Sequence, residues 1–399
     1  EIKNILKSMS GYSIGVVFTK AIPIFSIPII LNNISVNQYG QLGLITSIML
    51  MFVALGSLSI SSSNFRFFRH ANLNLSNNHN QKLISSSNLV LMFGIAISLM
   101  VGVCFLPNDY LLPSLLFIIS QTIYSYLITL VRLTDNVKYY NISEIGKQLI
   151  YLFGLYFFQY TDYFNILNII ILLALINLPF IFFFIYHFSN IGWIKMIYSR
   201  VILKNTLLFS VPLLIAYAGQ IFLQQSPILL HTGNLYELGL INYSNKLAIL
   251  IVAIQAIIFL AWPLFAFKYQ DEKIHQIIFK IITLALLSFL WLIYLFFEEI
   301  TLFLAGEEYL SSKNSSIGFL IAFCLSIVGN FIDTSASIHK KTKLISIIFI
   351  SGILILLASY ALLSSRIISH APYLPTLIAF SLMLLLRVII YRHQKQFIS

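Results

Sequence analysis

Residues 166–187 read ILNIIILLALINLPFIFFFIYH. No acid, lysine or arginine interrupts this run, and it exceeds the ~20 apolar residues that a helix needs to cross the hydrocarbon core of a bilayer. Runs of the same kind recur along the whole chain. Hydrophobic residues occupy 59% of the 399 positions and charged residues only 9%, against about 25% charged in an ordinary soluble domain. So few charges cannot cover a water-facing surface of this size. At ~20 residues per span, the apolar share is material for about twelve crossings with short loops.

The spans fall near 11–31, 42–64, 88–107, 111–131, 146–160, 166–187, 207–230, 240–266, 277–297, 315–338, 343–364 and 372–391. Backbone N–H and C=O groups have no water partner inside a bilayer, so each span must be a helix. The expected fold is therefore an all-α polytopic membrane protein of twelve transmembrane helices. The first apolar stretch lacks a small-residue cleavage site and reads as helix 1, not as a removable signal. The fifth span is the least continuous, apolar without interruption only from Leu149 to Tyr160; the charges require it. With twelve spans, all but four of the 24 lysines and arginines fall on the side of the N-terminus. Lys313 and Arg366 lie opposite, and Lys20 and Lys246 lie inside spans. Lysine and arginine are retained in cytoplasmic loops, so both termini are expected in the cytoplasm. The same rule accounts for the net charge of +11 without any nucleic-acid partner.

The segment from His187 to Lys204 mixes Trp193 and Tyr198 with Lys195, Arg200 and Lys204, a composition suited to a cytoplasmic membrane interface. It divides the chain into an N-terminal six-helix bundle (1–187), an interfacial linker (188–206) and a C-terminal six-helix bundle (207–399). A shift of 199 residues places Pro28 on Pro227, Gly40 on Gly239 and Arg69 on Lys268. Six is even, so the halves share orientation, as parallel repeats related by a pseudo-two-fold axis along the membrane normal. Transporters built of such repeats bind substrate between them, which leads to the expectation of a central cavity.

A charge inside a span costs several kcal/mol unless it faces protein or water. Lys20, Lys246 and Asp333 are the charges placed there, with Asp333 near enough to Lys340 and Lys341 for a plain ion pair. Neutral polar residues recur at helical spacing: Gln121, Ser125, Thr129 and Arg132; Tyr217, Gln220, Gln224 and His231; Asn242 and Lys246; Ser326, Asn330, Asp333 and Ser337. Such stripes line a hydrated cavity or join helices by hydrogen bonds. Read as a cavity, they nominate Lys20, Lys246, Arg132, Gln121, Gln220, Gln224 and Asn242 for substrate. Asp333 and Asn330 are then the candidates for coupling to H⁺ or Na⁺.

Several classes drop out. Cys104 and Cys324 lie in apolar runs and read as small buried hydrophobes. No cofactor is indicated: no His/Cys/Glu cluster has metal-ligand spacing, and no phosphate-binding loop or nucleotide domain occurs. A membrane glycosyltransferase or polysaccharide polymerase would rely on the acidic segment holding Glu298, Glu299, Glu307 and Glu308. That segment reads better as a solvated rim, so the chain is expected not to be an enzyme.

The turns of the repeat carry a resemblance. Pro28 to Gly43, PIILNNISVNQYGQLG, resembles the helix 1–2 junction of bacterial polysaccharide flippases, where a polar x-x-Tyr-Gly motif opens the second span. Tyr236 to Leu247, YELGLINYSNKL, is similar to the family's pattern at the start of helix 8, although Gly239 and Tyr243 are spaced more widely than in that pattern. Leu208 to Leu214, LFSVPLL, is similar to the opening of helix 7, with Phe209 in place of the usual Tyr, and Trp262-Pro263 stands where the family often has a proline. The resemblance implies the multidrug/oligosaccharidyl-lipid/polysaccharide exporter superfamily, and within it an O-antigen or capsule-repeat flippase of the bacterial inner membrane. Such a protein moves an undecaprenyl-pyrophosphate-linked oligosaccharide from the cytoplasmic to the periplasmic leaflet by alternating access. Membrane lipids, a polysaccharide polymerase and a chain-length regulator are the partners it implies. A pyrophosphate headgroup suits a cavity with Lys20, Lys246 and Arg132, and Gln and Asn amides suit sugar hydroxyls. The alternative within the fold is a multidrug/cation antiporter, which would need acids in the first half's spans.

Overall fold

A computed structural model describes residues 15, 18–19, 22–68, 78–134, 136–161, 163–190, 199–248, 251, 272–338 and 342–396. Among these residues the chain is helical, with no strand. In order, the helices are α1 (Ile22–Leu31), α2 (Val36–Ser57), α3 (Ile60–Phe67), α4 (Asn78–Phe105), α5 (Leu111–Leu133), α6 (Val137–Gln159), α7 (Ile166–Leu175) and α8 (Leu178–Asn190). There follow α9 (Arg200–Leu229), α10 (235–248), α11 (Glu272–Leu295), α12 (Phe297–Leu304), α13 (Lys313–Ile338), α14 (Thr342–Leu362), α15 (Ser365–His370) and α16 (Leu374–Gln396). The described parts of the expected spans are largely helical, with breaks inside them at Leu58–Ser59, Ile176–Asn177 and Phe296. Among the described residues, seven stretches are long and apolar enough to cross a bilayer, and an eighth if α11 and α12, bent by 71°, form one crossing. α6 is not among them, because its first half carries Lys138, Glu144 and Lys147.

The run that opened the analysis spans Ile166–Asn190, but the helix is interrupted at Ile176 and Asn177. Pro179 supplies the reason: it has no N–H to offer the carbonyl four residues back, and its ring crowds that carbonyl. The break turns the buried Asn177 amide onto Ser120 Oγ of α5 at 3.2 Å. Asn165 caps α7 by accepting from Asn168 N at 2.9 Å, and Asn136 caps α6 by accepting from Tyr139 N at 3.2 Å. Such caps satisfy amides that a helix start leaves without intrahelical partners.

The contacts group the chain into two compact units, residues 45–221 and residues 1–44 with 222–399. In the first unit, α2 and α4 cross where a Cβ on Gly94 would stand 2.3 Å from the Gly56 carbonyl, and Ser98 Oγ donates to the Phe52 carbonyl at 2.9 Å. Small residues are what permit helices to approach this closely in lipid.

The second unit contains the turn repeat, and its local chemistry is duplicated at the same 199-residue shift. Ser35 and Gln38 open α2 as a reciprocal capping box: Gln38 N donates to Ser35 Oγ at 3.3 Å and Ser35 N to Gln38 Oε1 at 2.9 Å. Asn234 and Glu237 open α10 in the matching way, with Glu237 N donating to Asn234 Oδ1 at 2.8 Å and Asn234 Nδ2 to Glu237 Oε1 at 3.4 Å. One turn on, Gly40 packs against the Leu235 carbonyl and Gly239 against the Val36 carbonyl. These two contacts exchange under the shift, as a two-fold relation between the turns requires. A side chain at either glycine would collide with backbone. Pro28 and Pro227 both lie in the last turn of the preceding helix; Arg69 and Lys268 lie outside the described residues.

Candidate functional site

The stripe on α5 separates into two parts. Toward the C-terminal end it serves packing: Thr129 Oγ1 lies 3.0 Å from Ser61 Oγ of α3. Arg132, in the last turn, places its guanidinium 4.9 Å from the Phe65 ring centre, a cation–π contact that lets the charge sit at the helix end. Gln121 and Ser125, two to three turns earlier, belong to a different group. Gln121 Nε2 donates to Ser125 Oγ at 3.1 Å, and its Oε1 accepts from Lys147 Nζ of α6 at 3.2 Å.

Lys147 is the unexpected member. The loop-charge pattern assigns it to the cytoplasmic side; instead it is the eleventh of the 23 residues of α6 and is buried. Its ammonium stands 4.3 Å from the centre of the Tyr124 ring. The hydroxyl of the same tyrosine donates to Glu144 Oε1 at 2.8 Å. Glu144 precedes Lys147 by three residues, so both rise from one face of α6. Gly146, between them, leaves room for Phe180 of α8: a Cβ there would stand 2.8 Å from the ring. Phe180 in turn packs edge-on against Tyr124, ring centres 6.4 Å apart. The rim of the cluster, Gln121, Ser125 and Glu144, is only half-buried. A sequence signal existed, since Ser143, Glu144, Lys147 and Gln148 at helical spacing mark a polar face at the entry to the fifth span.

In the second unit Asp333 of α13 and Arg387 of α16 form a buried pair, 6% and 1% exposed. Arg387 Nε lies 3.0 Å from both carboxylate oxygens, and Nη2 also donates to Oδ2. Gly329 provides the space for the guanidinium, and the Phe349 ring centre lies 5.3 Å from it. Asp333 thus finds its base across the bundle; Lys340 and Lys341, the partners expected from sequence, lie outside the described residues. Arg387, which the charge pattern counts with the bases of the cytoplasmic side, is buried. Asn330 is buried one turn before Asp333.

Of the remaining nominated residues, those that are described lie on α9 and α10. Asn242 is a packing peg: its Nδ2 donates to the Tyr39 carbonyl at 3.0 Å, and its amide occupies the space that Gly43 leaves open. Lys246 follows one turn later on α10, half-buried; Gln220 and Gln224 of α9 are half-buried as well. Lys20 lies outside the described residues. His231 falls in the turn beyond α9, its Nε2 3.5 Å from Glu237 Oε2. Burial pulls its pKa below the ordinary 6.5, and the Glu237 carboxylate pulls it back upward. In the acidic segment, Glu298 and Glu299 occupy the first turn of α12, where the helix dipole favours them, and Glu298 pairs with Lys313 at 3.0 Å. Among the described residues no three His, Cys, Asp or Glu side chains gather as metal ligands.

No protein-family model matches the sequence, and no curated protein matches it. Solved structures do match over nearly the whole chain. A MATE multidrug transporter, DinF-BH with a bound ligand, superimposes with a TM-score of 0.73 at 15% identity, covering 98% of this chain and 95% of its own. A multidrug resistance MATE family transporter of the MOP superfamily matches in an inward-facing conformation with a TM-score of 0.68 at 11% identity, covering 95% and 98%. An outward-facing conformation of such a transporter matches with a TM-score of 0.61 at 10% identity, covering 97% and 95%. The fold of this chain is therefore that of the MATE transporters, an all-α membrane architecture.

Proposed function

We propose that this chain is a multi-pass membrane transporter that carries an amphipathic substrate across the bilayer by alternating access. The observation that supports it is the fold, shared over at least 95% of the chain with transporters solved facing inward and facing outward. Identities of 10–15% carry no residue roles with them, so the choice of cargo rests on this chain's own charges. Among the described residues, Asp333 is paired with Arg387, and the Lys147 ammonium donates to Gln121 and stands over the Tyr124 ring. Lys246 and Arg132 add half-buried positive charge. Bases of this kind favour an anionic headgroup.

The finer reading is then a lipid-linked oligosaccharide, its pyrophosphate met by the bases and its polyprenyl tail left in lipid. It would be moved to the periplasmic leaflet of the bacterial inner membrane for O-antigen or capsule synthesis, alongside a polymerase and a chain-length regulator. Both termini would face the cytoplasm, as the loop charges suggest.

A second reading, multidrug export, is the one that the comparisons favour: the neighbours described above are multidrug transporters, one of them solved with a ligand bound. Reconstitution separates the two. The purified chain in proteoliposomes is expected to translocate a fluorescent polyprenyl-pyrophosphate glycolipid and to leave cationic dyes unmoved. Dye transport without glycolipid transport would replace the first reading with the second.

A further inference from the structure

α3 is set off from α2 by Leu58 and Ser59, whose φ angles of 44° and 51° lie in the left-handed region that residues with a side chain rarely adopt. The break re-aims the helix that follows. Three contacts then hold α3: Thr129 Oγ1 of α5 lies 3.0 Å from Ser61 Oγ, Ser87 Oγ of α4 donates to Asn64 Oδ1 at 2.6 Å, and His79 Nε2 stands 3.3 Å from the Phe67 carbonyl. The residues so positioned at its end are Phe65, Arg66 and Phe67.

Two guanidiniums lie on aromatic rings there. Arg66 stands 4.4 Å from the centre of the Phe209 ring of α9 and 5.9 Å from that of Phe67; the two rings meet edge-on, 5.7 Å apart. Arg132, in the last turn of α5, stands 4.9 Å from the centre of the Phe65 ring. A ring covers only the face of a guanidinium, and the N–H donors lie in its plane. Those donors are unclaimed: among the described residues, neither arginine makes a hydrogen bond or an ion pair. The described acids of this unit are Asp109, at the opposite end of α5, and Glu144, which accepts from Tyr124; Asp135 and Asp162 lie outside the described residues.

Both arginines end long apolar stretches, Val36–Phe67 and Asn108–Leu133. The first has 32 residues and as helix rises about 48 Å, against ~30 Å of hydrocarbon. Its polar last turns, Ser61 to Arg66, therefore reach headgroup level. Apolar surface continues from the rings, with Phe65 40% exposed and Leu208, beside Phe209, 66% exposed. Acyl chains could cover that surface; a free phosphate could not.

We propose that Arg66 and Arg132 clamp the phosphate of an anionic bilayer phospholipid, with Phe209 and Phe65 holding the two guanidiniums so that their edges meet its oxygens. The lipid ties the ends of α3 and α5 to α9 at the basic end of the unit. Bases at the ends of spans are ordinary; these two differ in being held on rings with their donors unclaimed. The inference assigns Arg132 to a resident lipid whatever cargo the chain carries.

Native mass spectrometry of the purified full chain in detergent, titrated with phosphatidylglycerol or phosphatidylcholine, tests the clamp. Wild type should bind phosphatidylglycerol more tightly than phosphatidylcholine. R66Q/R132Q should weaken phosphatidylglycerol binding roughly tenfold or more and leave phosphatidylcholine binding unchanged. R66K/R132K, which keeps the charges and loses the planar forks, should retain part of the affinity. K138Q removes an exposed base from the first turn of α6, which follows directly on α5, and should change nothing. Should the double glutamine variant fail to fold, R66Q, at an exposed position, takes its place, with a several-fold weakening expected. Equal binding of the two lipids by wild type, or wild-type affinity in folded R66Q/R132Q, overturns the clamp. So does a K138Q protein weakened as much as the double variant, because charge alone would then account for the binding. Two competitors identify the source of the phosphate. Inorganic phosphate or a polyprenyl pyrophosphate that displaces phosphatidylglycerol at equal concentration would overturn the resident lipid, in favour of a free anion or of the cargo; failure of both to displace it supports the assignment.

Discussion

Two buried acid–base clusters, one in each compact unit, contain the same ingredients and are built to opposite ends. Asp333 and Arg387 touch directly through several hydrogen bonds, and both side chains are sealed. Glu144 and Lys147 are joined through a tyrosine, and the carboxylate lies at a half-buried rim. In a low-dielectric interior, direct bidentate contact makes removal of either partner costly. The first arrangement is a clamp between α13 and α16; the second is a looser, bridged contact between α5 and α6.

Breaking the clamp is the severest test. R387M strands the Asp333 carboxylate and should cost about 3–5 kcal/mol, the usual penalty for halving a buried pair; thermal unfolding in detergent would register it. The double variant R387M/D333L removes both charges and should recover most of that loss. A double variant as unstable as the single one would mean that the pair does more than neutralise itself. Next in size is G329A, whose methyl group enters the space of the Arg387 guanidinium. Overpacking of this kind costs about 1–3 kcal/mol, and the loss should vanish in the R387M background.

The bridged cluster should respond more gently. Y124F removes one hydrogen bond to a carboxylate and keeps the ring under Lys147, so about 1 kcal/mol of stability is expected to go. A loss as large as that of R387M would show that the two clusters are of one kind. Smallest is the effect of His231, which lies outside the spans. Its folded pKa is lowered, so the unfolded chain binds the proton more readily. Stability is fully present above about pH 6.5 and declines as pH falls below it. H231Q should flatten the decline in melting temperature between pH 7 and pH 5. An unchanged slope would assign the acid sensitivity elsewhere.

These contrasts explain what could be read from the sequence. The spans were legible because the penalty for polar backbone in lipid acts on every residue of a run, so composition alone reveals them. The turn repeat was legible through Gly40 and Gly239, since a backbone approach that excludes a Cβ leaves glycine at both places. The helix break before Pro179 follows from the ring itself. The burial of Lys147 and Arg387 was not legible, because a base near the end of a span looks, in sequence, like a base in the adjoining loop. Asn242 was grouped with cavity residues because helical spacing does not tell an amide facing a cavity from one facing another helix.

The sequence by itself determined the solvent of this protein, its all-helical character and the two-fold relation of its turns. Each follows from interactions that are local or uniform along a run: hydrophobic transfer, backbone satisfaction and steric exclusion at glycine. Tertiary structure alone decided which of the rare polar groups meet. Lys147 finds Gln121 across 26 residues and Arg387 finds Asp333 across 54. An ion pair or hydrogen bond falls off within a few ångströms, and only the packing of one helix face against another brings such groups that close.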